Sequence, residues 1–361
     1  MDPKPSAFDP ECAGLPQTLL LSGAGAAIGG RYEVQFAERL NHLDSPQADA
    51  YGVHDLEGGR RRHFALILQS NGYGRFAQFE NFAAVDSDGM LRAVAQGAVT
   101  VTGAAHQQMV LILERPAGGK LMVRDGVLAD RLDERAIIDR ILSPLEDGLR
   151  ALHRAGLAHR AIRPDNLYFR AQADGPAVLG ECLSAPPGLD QPDAFEPIES
   201  ALASPAGRGD GTAASDMFAL GVTVVTLLSG RWPDQDNTTE RLLQRIERGS
   251  YRAFAGHLRC SQDMEDLLAG LLYDGPPGRW TVDQLRACMS SNARTMTLRA
   301  QFWRLKTVSM IWLISLAFRS STVTARCAIW RVGSAPTWSP PSQDITAVLV
   351  ARALRSNSPP S

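Results

Sequence analysis

Lysine is almost missing from this chain. Only Lys4, Lys120 and Lys306 occur in 361 residues, and residues 31–115 contain none. Chemistry that needs an ammonium group in that stretch is excluded, because arginine differs from lysine in reach and geometry. Cysteine is sparse too. Cys12, Cys182, Cys260, Cys288 and Cys327 are odd in number, far apart, and form no C-x-x-C pair. That pattern argues against a disulfide framework or a cysteine-based zinc site, and it fits a reducing, cytoplasmic compartment. The seven histidines make no H-E-x-x-H arrangement. No charged segment followed by an apolar one opens the chain, so no secretory signal is expected. The apolar run Val308–Phe318 is shorter than the ~20 residues a membrane helix needs. The net charge is only −2, so the whole chain makes no case for specific nucleic-acid binding.

The glycines of "TLLLSGAGAAIGG" (Thr18–Gly30) do not build a nucleotide loop. The third glycine of a G-x-G-x-x-G would be Ile28, and no Gly-Lys-Ser/Thr follows. The stretch reads as a linker or a leading strand.

What is present sorts into a strand-rich front and a helical back. "RRHFALIL" (Arg61–Leu68) and "QQMVLILE" (Gln107–Glu114) are apolar runs rich in β-formers. Ile137, Ile138, Ile141, Leu142, Leu145, Leu149 and Leu152 then follow the helical period. Ser143-Pro144-Leu145-Glu146 has the form of a capping box with Pro at N1, which predicts a kink or restart there. "SDMFALGVTVVTLLSG" (Ser215–Gly230) is apolar on nearly all sides and predicts a central buried helix. "SQDMEDLLAGLLY" (Ser261–Tyr273) predicts another, capped by its serine. After residue 291 the chain changes character. Nine basic residues and one acid give that tail +8 and leave −10 for residues 1–290, and four of the six tryptophans sit there. Two readings of the tail stay open: a segment suited to acidic surfaces, or a disordered, truncated or frameshifted end.

Five strings, in this order, resemble the Ser/Thr protein kinase family in its bacterial form. "LILERPAGGKL" (Leu111–Leu121) resembles the hinge between two lobes, with Glu114 and Arg115. "HRAIRPDNLYF" (His159–Phe169) resembles the catalytic loop H-R-D-x-x-x-x-N. "EPIES" (Glu196–Ser200) resembles the A-P-E segment. "SDMFALGVTVVTLLSG" resembles the large central helix, and "DGPPGRWT" (Asp274–Thr281) the late segment whose arginine pairs with the A-P-E glutamate. The match covers roughly residues 31–290. It implies an α+β, protein-kinase-like two-lobe fold. A reduced strand-rich N-lobe would span 31–115 and a helical C-lobe 116–290, after a tail or linker at 1–30 and before the basic Trp-rich tail at 291–361.

The resemblance also assigns roles. Asp216 would bond the backbone of the catalytic loop, and Glu199 would pair with Arg279. His159, Arg160 and Asn166 are remnants of the loop, and Ala161 stands at the base position. Ile67 falls at the lysine position of V-A-I-K. No glycine occurs between Val34 and Gly52, where a glycine-rich loop would cover phosphates. Gly180-Glu181-Cys182 take the place of D-F-G, which leaves Asn166 and Glu181 as weak candidates for a metal. The pieces retained are those that hold the larger lobe together, and the pieces lost handle nucleotide and proton. The leading expectation is a pseudokinase, a regulatory or scaffolding module that binds a protein partner and no cofactor. The alternatives are an atypical Ser/Thr kinase using ATP and Mg²⁺, or a truncated or decayed member of a longer kinase-like protein.

Overall fold

The computed structural model describes residues 26–290, apart from 60–61, 70–73, 101–106, 123–131, 172–174 and 234–237. The N-terminal residues before 26 and the tail from 291 lie outside the described residues, and so do the readings made of them.

The front forms one antiparallel sheet: β1 (Ala26–Ile28), β2 (Tyr32–Arg39), β3 (Ala48–Asp55), β4 (His63–Leu68), β5 (Ala93–Val99) and β6 (Gln108–Glu114), in the order β1-β2-β3-β4-β6-β5. β1 extends the lobe ahead of the expected boundary at residue 31. It also packs against β5 at the other end of the order, so the sheet curls upon itself. Gly97 permits this approach, because a Cβ there would lie 3.1 Å from the Ile28 side chain. The curled face encloses Ile28, Tyr32, Val34, Ala65, Ile67, Val99, Val110 and Ile112. The opposite face carries Phe64, Leu66, Leu68, Leu111 and Leu113 into a second core shared with the rest of the chain. β4 is therefore buried on both faces, which is why it reads as an unbroken apolar run.

A short helix, α1 (Phe79–Ala83), buries Phe79 and Phe82 in the shared core. The larger lobe starts with α2 (Glu134–Ala136), capped by the Asp133 side chain, which accepts from the Ala136 amide at 2.6 Å. A π-helical turn over Ile137–Leu142 leads directly into α3 (Ser143–Arg154). The capping box expected at Ser143 is not formed, because Ser143 is already inside the helix. Pro144 has no N–H to give to the preceding turn, and the wide π turn accommodates that loss.

The strands β7 (Leu167–Phe169) and β8 (Ala177–Leu179) form a hairpin. Two short helices follow, α4 (Pro187–Asp190) and α5 (Ile198–Ala201). The central helix α6 (Ala213–Ser229) has a Thr212/Ser215 capping box at its start. It ends at Gly230, whose φ of 68° suits glycine. It is buried on almost every side. α7 (Thr238–Arg248), α8 (Ser250–Ala255), α9 (Gln262–Leu271) and α10 (Val282–Ser290) complete the lobe. No helix among the described residues is long and apolar enough to cross a membrane.

Candidate functional site

The loop His159–Asn166 is held from below by one carboxylate. Asp216, on the buried α6, accepts from the amides of His159 at 2.7 Å and Arg160 at 2.8 Å, and lies 3.0 Å from His153 Nε2. Burial works against its charge, but these bonds and the two histidines hold its pKa below the usual carboxylate range. His159 is fully enclosed. Its Nδ1 accepts from the Ala161 amide at 3.2 Å, which puts the ring proton on Nε2, 3.1 Å from the Gly180 carbonyl. Burial lowers its pKa to about 4, so the ring is neutral at pH 7. Arg160 adopts a φ of 66°, which only the surrounding bonds can hold in a non-glycine residue. Its guanidinium makes a two-pronged pair with Glu196 at 3.0 and 2.8 Å. Ala161 is buried and offers no titratable group.

The two candidate metal residues sit side by side, joined by a hydrogen bond from the Asn166 amide to Glu181 O. Asn166 donates its amide to the carbonyls of Ala161 and Glu181, both at 2.8 Å. The Glu181 carboxylate turns into its own loop, where it accepts from the Leu183 and Ser184 amides at 2.9 Å and from the Ser184 hydroxyl. Burial raises its pKa, with Asp190 adding to the effect. Among the described residues no cluster of three or more His, Cys, Asp or Glu could hold a metal ion.

Ile67 lies on β4. It lies inside the curled sheet, on the face away from the larger lobe. Its neighbours Leu66 and Leu68 face the shared core instead. Successive strand residues point to opposite faces, so Ile67 faces away from the core that the two lobes share. The consequence for charge is unchanged, since β4 carries no lysine on either face. At the hinge, the Glu114 amide donates to Arg92 O, and Arg115 reaches Glu38 at 3.0 Å. The next residue is the buried Pro116, which has no N–H to offer a ligand. Arg279 Nη1 donates to Glu199 Oε1 at 3.1 Å, so those two meet.

Three features were not legible in the motifs. The β2–β3 connection carries a 3-10 turn, Asn41–Leu43, and folds down between the lobes. It buries Leu40 and Leu43 in the shared core, beside Phe64, Leu66, Leu68 and Leu113. Its tip is tied to the larger lobe: Ser45 Oγ lies 2.9 Å from Ser184 Oγ, and Lys120 donates to Asp44 O at 3.0 Å. Arg75 is the second feature. It donates to the carbonyls of His159, Ala158 and Cys182, and to Gln78, while stacking over Phe82. The third is Arg163. It pairs with Asp190 through two nitrogens at 2.9 and 3.1 Å, and with Asp165 at 2.8 Å. Burial opposes its charge, but Asp190 and Asp165 outweigh it and raise its pKa above the ordinary arginine value. The pocket left between the loop tip and the catalytic-type loop, lined by Asp44, Ser45, Pro46, Lys120, Arg163, Asp165 and Asn166, holds about 210 Å³.

The curled antiparallel sheet over a helical lobe, joined by this loop and hinge, defines a protein-kinase-like two-lobe domain. The structure is similar to the crystal structure of Rad53 1–466 in complex with AMP-PNP, with a TM-score of 0.56 at 19% identity over 72% of this chain and 64% of that one. In sequence the chain is 28% identical over 189 residues to serine/threonine-protein kinase H1 of Homo sapiens, covering 50% of this chain and 43% of that protein. It is 32% identical over 184 residues to a calcium and calcium/calmodulin-dependent serine/threonine-protein kinase of Oryza sativa subsp. japonica, covering 48% of this chain and 34% of that one. The chain thus spans less than half the length of these relatives. They are eukaryotic, so the similarity holds for Ser/Thr kinases as a class and does not narrow to a bacterial form. No family model matches.

Proposed function

We propose that this chain is a pseudokinase: a kinase-like domain that serves as a regulatory or scaffolding module for a protein partner. The observation that supports this best is the filled cleft. The β2–β3 loop, which would have to stand clear of a nucleotide, inserts Leu40 and Leu43 between the lobes instead. The pocket beside the loop tip, at about 210 Å³, falls below the roughly 300–1,000 Å³ of ordinary small-molecule sites. The donors do not fit ATP and Mg²⁺ either. The sheet lacks a lysine, Pro116 lacks an amide, and the Glu181 carboxylate is bonded within its own loop. Phosphoryl transfer depends on positioning and charge neutralisation, and most of the groups that would supply them are replaced. A cytoplasmic setting suits Cys182, Cys260 and Cys288, which form no disulfide with one another.

A thermal-shift titration with ATP, with and without Mg²⁺, tests the reading. A ligand at 100 times its Kd adds about 2.7 kcal/mol, which moves the Tm of a domain this size by several degrees. The expected result is no shift. A Mg²⁺-dependent rise that disappears in Asn166→Ala would overturn the proposal in favour of an atypical kinase.

A further inference from the structure

The segment from the D-F-G-like string through the A-P-E-like string carries an acid at every third position: Asp190, Asp193, Glu196 and Glu199. Each meets a different arginine from outside the segment. Arg163 holds Asp190, Arg208 holds Asp193, Arg160 holds Glu196, and Arg279 holds Glu199. All four guanidiniums are buried. A fifth buried arginine, Arg245 on α7, donates to Glu196 O at 2.6 Å and stacks between Phe218 and Phe254. Arg208 also donates to the carbonyls of Gly188 and Gln191, both at 3.3 Å.

The spacing has a conformational cause. Pro192 and Pro197 are in the polyproline II region, and Asp193–Phe195 is a 3-10 turn. Both conformations have three residues per turn, which matches the spacing of Asp193 and Glu196, while Asp190 and Glu199 lie in α4 and α5. Between Ala185 and Glu199 there is no Ser, Thr or Tyr, and no Lys, Arg or His. The segment offers no hydroxyl for a phosphoryl group, and every cation that orders it comes from elsewhere in the lobe.

We infer that this ladder keeps residues 186–199 in one ordered conformation permanently, with carboxylates standing where a switchable segment would need added phosphate to recruit arginines. The domain then presents this surface without a modification step. The inference is independent of whether nucleotide binds.

Hydrogen exchange on the full chain, before and after phosphatase treatment, tests it. Amides of residues 187–199 should be protected well above the level of an open loop, and phosphatase should change nothing. Glu196→Gln keeps the shape but removes the charge pair. It should speed exchange in this segment by about tenfold or more while α6 stays protected, since hydrogen bonds to charged groups are the strong ones. Should that buried variant fail to fold, Asp193→Asn, at the most exposed pair, should give the same local effect. Loop-like exchange in the wild type, a loss of protection on phosphatase treatment, or unchanged exchange in the variants would each overturn the inference.

Discussion

Asp216 and His159 show what single residues contribute. Both are buried, and both have pKa values displaced downward. A histidine whose folded pKa falls from its ordinary 6.5 to about 4 must stay neutral in the native state. Its stabilising share is complete above pH 6.5 and is lost as the pH falls toward 4, because the unfolded chain then binds the proton more readily. The difference is worth on the order of 3 kcal/mol. The lowered Asp216 acts in the same direction at lower pH. Its share is present above the ordinary aspartate value and is lost as acid drives it through its folded pKa. Urea-unfolding free energies at pH 7, 5.5 and 4.5 should therefore decline steadily, and His159→Gln should flatten the decline while lowering the pH 7 value. A level wild-type profile would sink this account. Such contacts were readable where the chain itself fixes them. His159, Arg160 and Ala161 are adjacent in sequence, and the apolar run around Asp216 announces a buried helix. The face that Ile67 takes was not legible, because a one-residue slip on a strand reverses the face, and a run as apolar as "HFALIL" has no alternation to set the register.

Elements meet here through glycine as well as through leucine. The loop before β5 crosses α3 where Gly89 faces Gly148. A Cβ on Gly89 would lie 2.4 Å from Pro144 O and 2.6 Å from Gly148 N, all backbone atoms that cannot swing aside. Gly89→Ala should cost about 1–3 kcal/mol, the usual range for overpacking. Gly119→Ala, with nothing within 4 Å of its Cβ, should stay within about 0.5 kcal/mol of wild type. Equal urea midpoints for the two variants would refute the close crossing. The β2–β3 loop allows a complementary test. Leu43→Ala should destabilise by about 2–3 kcal/mol, because it empties part of a core. It should still bind no ATP, because β4 carries no lysine on either face. Strong, Mg²⁺-independent ATP binding by that variant would show that Leu43 alone blocks the cleft. The strands and long helices were legible from period and length. The plug was not, because "RLNHLDSPQ" has the composition of a surface turn, and only tertiary contacts bury its two leucines.

The lobes behave as one body if their shared core governs unfolding. That core runs without a break from Leu66 and Leu113 in the sheet, through Leu145 and Leu149 on α3, to Phe218 on α6. Three polar fastenings cross the same boundary. The Leu91 amide donates to Leu179 O at 2.8 Å, and Leu179 returns a bond to Gly89 O at 2.9 Å. Ser45 meets Ser184, and Arg75 donates to three carbonyls of the larger lobe. A small lobe that shed these contacts would expose Leu66, Leu68 and Phe82 together, so its independent opening is disfavoured by the burial of all three at about 25 cal/mol per Å². Denaturation should therefore show one transition. With Trp303, Trp312, Trp330 and Trp338 replaced by phenylalanine, fluorescence of Trp232 and Trp280 reports the larger lobe, and hydrogen exchange in β3 and β4 reports the smaller one; their midpoints should coincide. Arg75→Ala takes the donor from three buried carbonyls, so it should pull the β3 and β4 midpoint below that of the tryptophans. Two separated transitions in the wild type, or coincident ones in Arg75→Ala at unchanged stability, would show that the lobes are coupled by something other than these contacts.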